Sequence, residues 1–96
     1  MAIGALTPPQ NEAATPELLI EFPDNRLMVD LCGEHSRNLA VVEQQLGVQI
    51  VHRGNQLAIF GEEALQARAA TVLQALYARL EAGRDVELGD LDRELR

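Results

Sequence analysis

Few side chains in this sequence have the types and spacing that catalysis or metal binding demands. Its single thiol, Cys32, and its two imidazoles, His35 and His52, do not fall at the intervals of a zinc or other transition-metal site. A lone cysteine before a glycine at a helix end reads as a small buried hydrophobe. The fifteen acidic residues are scattered, and Asp90, Asp92 and Glu94 read as a solvated helix face rather than an acid–base pair. All eight basic residues are arginine. The absence of lysine excludes Schiff-base chemistry and the phosphate-gripping lysine of a Walker A loop. No catalytic residue, metal ligand or cofactor is assigned to this chain, and no enzymatic activity of its own is expected.

Recognition chemistry is concentrated at one junction, Gly33-Glu34-His35-Ser36-Arg37-Asn38. A glycine-led turn that ends one helix and opens another leaves backbone N–H groups unsatisfied at the second helix's start. The dipole there also favours an anion such as a phosphate, and Arg37 adjoins it. The same residues admit a purely structural role, with Gly33 as a C-cap and Ser36 as an N-cap. A second candidate is Arg53-Gly54-Asn55, a hairpin turn with an arginine beside it. The net charge is −7, which argues against a general polyanion-binding surface. Between Asp24 and Asn55, however, four acids (Asp24, Asp30, Glu34, Glu43) face three bases (Arg26, Arg37, Arg53), a balance of −1. The acidity lies mostly elsewhere, so a local patch is compatible with it.

The elements that must position these residues follow from periodicity. Residues 1–16 hold three of the four prolines and show no sustained period, the pattern of a flexible tail. Leu18, Ile20 and Phe22 alternate as in a half-buried strand stopped by Pro23. Asp24 caps a short helix with Leu27, Met28 and Leu31 on one face, ended by Gly33. A second helix places Leu39, Val42 and Leu46 together and stops at Gly47. Val48–His52 and Leu57–Phe60 then read as two strands joined by a tight turn at Gly54-Asn55. A long helix follows, with Leu65, Ala69, Val72, Leu73, Leu76 and Leu80 along one side, ending at Gly83. Leu88, Leu91 and Leu95 mark a short amphipathic end over residues 85–96. At 96 residues, 47% of them hydrophobic, the chain is long enough for one domain and too short for two. The expected fold is a two-layer α+β domain over residues 17–84, a three-stranded sheet with helices on one face.

The order β-α-α-β-β-α resembles the type I KH domain, in which a Gly-x-x-Gly loop between the first two helices clamps single-stranded nucleic acid. Here that loop is Gly33-Glu34-His35-Ser36, with Ser36 where the pattern has its second glycine and Glu34 adding a negative charge. A more specific resemblance is to the N-terminal region of PhoH-family proteins. It is carried by Leu31-Cys32-Gly33-Glu34-His35, Leu46-Gly47-Val48, Arg53-Gly54-Asn55, Gly61-Glu62 and the helix containing Leu76-Tyr77, and spans Glu17 to Arg96.

The resemblance implies a cytoplasmic bacterial protein associated with phosphate starvation and RNA metabolism. Its next domain, absent from these 96 residues, would be a P-loop ATPase using ATP and magnesium, with residues 85–96 as the connector. The domain would present single-stranded RNA to that ATPase through Gly33, Glu34, His35, Ser36, Arg37, Asn38, Arg53, Gly54 and Asn55. The alternative is a KH-like protein-interaction module that docks on its own C-terminal ATPase domain or assembles a homo-oligomer. No apolar run reaches the ~18–20 residues of a membrane span, and Met1–Leu6 lacks the basic start of a signal peptide, so a cytoplasmic location and no membrane partner are expected.

Overall fold

The structure, a computed structural model, describes residues 17–96. The flexible tail expected over residues 1–16 lies outside them. The elements are β1 (Leu18–Glu21), α1 (Asn25–Cys32), a 3-10 turn (Glu34–Ser36), α2 (Arg37–Leu46), β2 (Gln49–Arg53), β3 (Gln56–Phe60), α3 (Glu63–Glu81) and α4 (Leu88–Leu95). The antiparallel sheet has the order β1-β3-β2, with Leu18 opposite Ile59, Ile20 opposite Leu57, Ile50 opposite Ile59 and His52 opposite Leu57. Because strand side chains alternate, Leu18, Ile20, Ile50, Leu57 and Ile59 share one face. Ile20, Ile50, Leu57 and Ile59 belong to the core formed with the helices, and the partly buried Leu18 packs against it. Ala58 is fully buried yet lies on the other face with Leu19 and Val51, outside that core cluster. This is the two-layer α+β architecture that the periodicity predicts.

Local chemistry accounts for each boundary. The Asp24 carboxylate accepts from the N–H groups of Arg26 (2.9 Å) and Leu27 (3.4 Å), capping α1 as its sequence position suggests. The backbone N–H of Asp24 donates to the Tyr77 hydroxyl at 3.0 Å, and Phe22 stacks obliquely on the Tyr77 ring with centroids 4.6 Å apart. These contacts fix the start of α1 against α3, on which that helix packs. Gly47, at φ +70°, closes α2 with its N–H on the Glu43 carbonyl.

Residues 85–96 do more than leave the domain. α4 packs on both α2 and α3, and Leu91 is completely buried, so the core continues past Arg84 to Leu95. Apolar count alone does not reveal this, because much of the anchorage is polar. Asp90 and Glu87 form a reciprocal capping box at the helix start, and the Asp90 carboxylate also pairs with Arg79 of α3 at 3.1 Å and with Arg93. Asp90 is therefore not part of a solvated face: its side chain is only 11% exposed. The Glu87 N–H and the two arginines hold its carboxyl below the usual aspartate range, against an opposing push from burial.

Candidate nucleic-acid interface

The turn between α1 and α2 has a backbone that ordinary residues avoid. Gly33 sits at φ +79°, ψ 174°, a combination available essentially to glycine alone. A Cβ there would stand 2.7 Å from Asn38 Nδ2 and 2.8 Å from its Cγ. Asn38 is buried, and its Nδ2 donates to the Leu31 carbonyl at 3.1 Å. The start of α2 is thereby pinned to the end of α1 across the space that only a glycine leaves open.

His35 (φ +55°) and Ser36 (φ +57°) then follow in the left-handed region. Each costs roughly 1–2 kcal/mol relative to right-handed backbone. The Ser36 N–H donates to the Gly33 carbonyl at 3.0 Å and the Arg37 N–H to that of Glu34. Ser36 does not cap α2 as its position in the sequence suggests: its left-handed backbone leaves the hydroxyl without a capping bond. Its backbone lies in a region that glycine adopts without strain. Glu34, His35, Ser36 and Arg37 are all exposed.

The second segment is the β2–β3 hairpin, turning at Gly54 (φ +60°) as expected. Arg53 pairs with Glu17 at 3.7 Å, while Asn55 Nδ2 donates to Glu21 Oε2 at 3.3 Å. His52 Nε2 lies 2.6 Å from the Gly54 carbonyl oxygen. Because a carbonyl can only accept, the neutral ring carries its proton on Nε2 and leaves Nδ1 as an acceptor. That Nδ1 faces Cys32 Sγ at 4.0 Å. Burial pushes the Cys32 thiol upward, keeping it a protonated S–H rather than a nucleophilic thiolate. Along the same strand the Ile50 N–H donates to Glu43 Oε2 at 2.8 Å, tying β2 to α2.

The Cys32–His52 contact joins the two segments. Glu34, His35, Ser36 and Arg37 are exposed after half-buried Gly33; Arg53, Gly54 and Asn55 form a separate turn, linked to the end of α1 through the His52 side chain. Two predicted residues have their side chains committed otherwise: Asn38 points into the protein as the turn's internal support, and Asn55 reaches back to β1. Sequence reasoning did not select His52 as a site residue. Its signal was the alternation with Ile50, which places both side chains on the helix-facing side of β2. Among the described residues no group of three or more His, Cys, Asp or Glu is placed to hold a metal ion, and no helix is long and apolar enough to cross a membrane. Compared with known proteins, the chain matches no family model and no solved structure.

Proposed function

We propose that this domain is a KH-like module that binds single-stranded RNA at the Gly33–Arg37 turn and the neighbouring hairpin, and presents it to a P-loop ATPase domain of the PhoH type, where ATP and magnesium would act. The observation that carries this reading is the exposed left-handed backbone of His35 and Ser36 beside Arg37, with the 4.0 Å approach of Cys32 and His52 linking the end of α1 to the strand that leads to Arg53. Such a turn offers backbone room for a phosphodiester chain, and Arg37 and Arg53 offer charge. Its test is a titration of labelled single-stranded RNA at low salt onto the wild-type domain and onto Arg37→Ala and Arg53→Ala. The reading predicts binding that both substitutions weaken, with the salt slope reduced by ~0.7 for each phosphate no longer neutralised. Absence of binding, or binding indifferent to both substitutions, refutes it.

A protein-docking role is favoured by a different observation. On the sheet face away from the helices, Leu19 is 50% exposed beside Ala58 and Val51. Sedimentation of the wild-type chain and of Leu19→Glu tests this role in self-assembly, which requires a concentration-dependent mass that the substitution abolishes.

A further inference from the structure

The two edges of the sheet are not equivalent. Just past the Glu21–Gln56 pair, the Phe22 N–H donates to the Asn55 carbonyl at 2.8 Å. Hydrogen bonding alternates along an antiparallel pair, so Leu18, Ile20 and Phe22 turn their N–H and C=O groups toward β3, and Leu19 and Glu21 turn theirs outward. On β2 the same alternation turns Ile50 and His52 outward, and there the Glu43 carboxylate accepts from the Ile50 N–H at 2.8 Å. That edge is blunted by a charged side chain, a common device against unwanted strand pairing. Among the described residues no side chain occupies the outward N–H groups of β1, which is the other edge of the sheet.

The side chains along this open edge add a chemical preference. Leu19 is exposed and stands between Glu17 and Glu21 on the sheet face away from the helices. We infer that β1 receives an extended segment of another protein as an antiparallel fourth strand, with an apolar residue opposite Leu19 and a basic residue two positions to either side. The inference rests on the protein-docking reading of this face and names the chemistry of the partner.

Strand addition draws affinity from main-chain hydrogen bonds and specificity from the alternate side chains. In an antiparallel pair Leu19 exchanges both of its outward bonds with the residue opposite, and the Cβ atoms of opposed residues lie about 4.5–5.5 Å apart. Two positions along, side chains return to the same face, which sets one cation opposite Glu21 and another opposite Glu17. Glu17 already meets Arg53 at 3.7 Å, whereas Glu21 has the Asn55 amide at 3.3 Å, so Glu21 is the main electrostatic determinant. A second copy of this chain fits the edge poorly. Pairing β1 with its twin about Leu19 sets Glu17 opposite Glu21 twice, and like charges directly opposite each other are destabilising. The net charge of −7 likewise favours a basic partner over another copy.

The experiment is an NMR titration of the isotope-labelled chain at low salt with the peptide Gly-Ser-Arg-Thr-Val-Thr-Arg-Ser-Gly. Two controls accompany it: the same peptide with both arginines replaced by glutamate, and the same peptide N-methylated at its central valine. The amides of Leu19 and Glu21 are expected to shift and to gain protection from hydrogen exchange. N-methylation removes the valine donor to the Leu19 carbonyl and is expected to abolish both effects. Glu21→Arg is expected to weaken the basic peptide about fivefold and to strengthen the acidic one by a similar factor, an exchange of preference that a misfolded variant does not produce. Shifts confined to other elements, indifference to N-methylation, or equal binding of the two peptides overturns the inference. A concentration-dependent mass abolished by Leu19→Glu, without peptide binding, assigns the face to a second copy: the inference falls and the docking reading stands. Neither peptide binding nor self-association overturns both.

Discussion

Replacing Gly33 with alanine imposes two separable costs on the turn. The first is conformational: φ +79° with ψ 174° is a glycine region, and holding a Cβ-bearing residue there costs about 1–3 kcal/mol. The second is steric: the new methyl would lie 2.7 Å from Asn38 Nδ2, so Asn38 must swing away from the Leu31 carbonyl it now satisfies. Breaking that buried hydrogen bond costs about 1–3 kcal/mol more. Gly33→Ala is therefore expected to destabilise the domain by about 2–6 kcal/mol, a large share of the ~5–15 kcal/mol that native proteins possess. Urea unfolding measures the change directly, and in a thermal melt each kcal/mol corresponds to about 4–8 °C in a domain of this size. Asn38→Ala separates the two costs, because it removes the obstructing amide. In that background Gly33→Ala retains only the conformational cost, so the double variant falls short of the sum of the singles by at least about 1 kcal/mol. A Gly33→Ala change below about 1 kcal/mol, or strict additivity with Asn38→Ala, refutes the argument that these residues define the turn together.

Other perturbations probe the remaining parts of the structure. Leu91→Ala empties a completely buried site beneath α4 and is expected to cost about 2–5 kcal/mol by urea unfolding, a value near zero being incompatible with a docked α4. Asp90 has its folded pKa lowered, so its contribution to stability is present above its unfolded value and is lost as pH falls through the folded one. Asp90→Asn should thus flatten the acid side of the stability profile below about pH 4, measured by thermal melts from pH 2 to 7. Ser36→Gly relieves left-handed strain of about 1–2 kcal/mol and loses about 0.5–1 kcal/mol to glycine's greater chain entropy, for a net gain of up to about 1.5 kcal/mol in the same unfolding assay.

The elements were legible wherever a residue's own chemistry decides its conformation. Asp24 as a cap, Gly47 at a helix end, Gly54 in the hairpin and the alternation of Leu18 with Ile20 each act over a few residues, and each takes the conformation its type suggests. Ser36 shows where that logic fails. As an isolated residue serine prefers to cap a helix, but the path from Gly33, held by buried Asn38, turns it left-handed and removes the option. The inward turn of Asn38 and the anchoring of α4 by Asp90 were hidden for the same reason: their partners, the Leu31 carbonyl and Arg79, are brought near by tertiary packing. At the site, sequence placed both turns on exposed junctions, whereas the contact that unites them, Cys32 with His52, joins residues 20 positions apart.

The disposition of the arginines indicates which single residue discriminates best between a binding role and a structural one. Arg26 pairs with Asp24, Arg53 with Glu17, Arg79 and Arg93 with Asp90, and Arg96 with Asp92, while Arg68 donates to the Leu95 carbonyl. Among the described residues the side chains of Arg37 and Arg84 alone lack such an acceptor. Arg84 lies beyond the far end of α3, whereas Arg37 opens α2 beside the left-handed turn. An exposed cation without a partner contributes little to stability, because surface charges are well solvated. Substitution of Arg37 should therefore leave unfolding within about 0.5 kcal/mol of wild type, as is usual for surface positions free of special interactions. Any weakening of RNA affinity in Arg37→Ala then reports the missing guanidinium rather than a disturbed fold, which Arg53→Ala, by freeing Glu17, shows less cleanly.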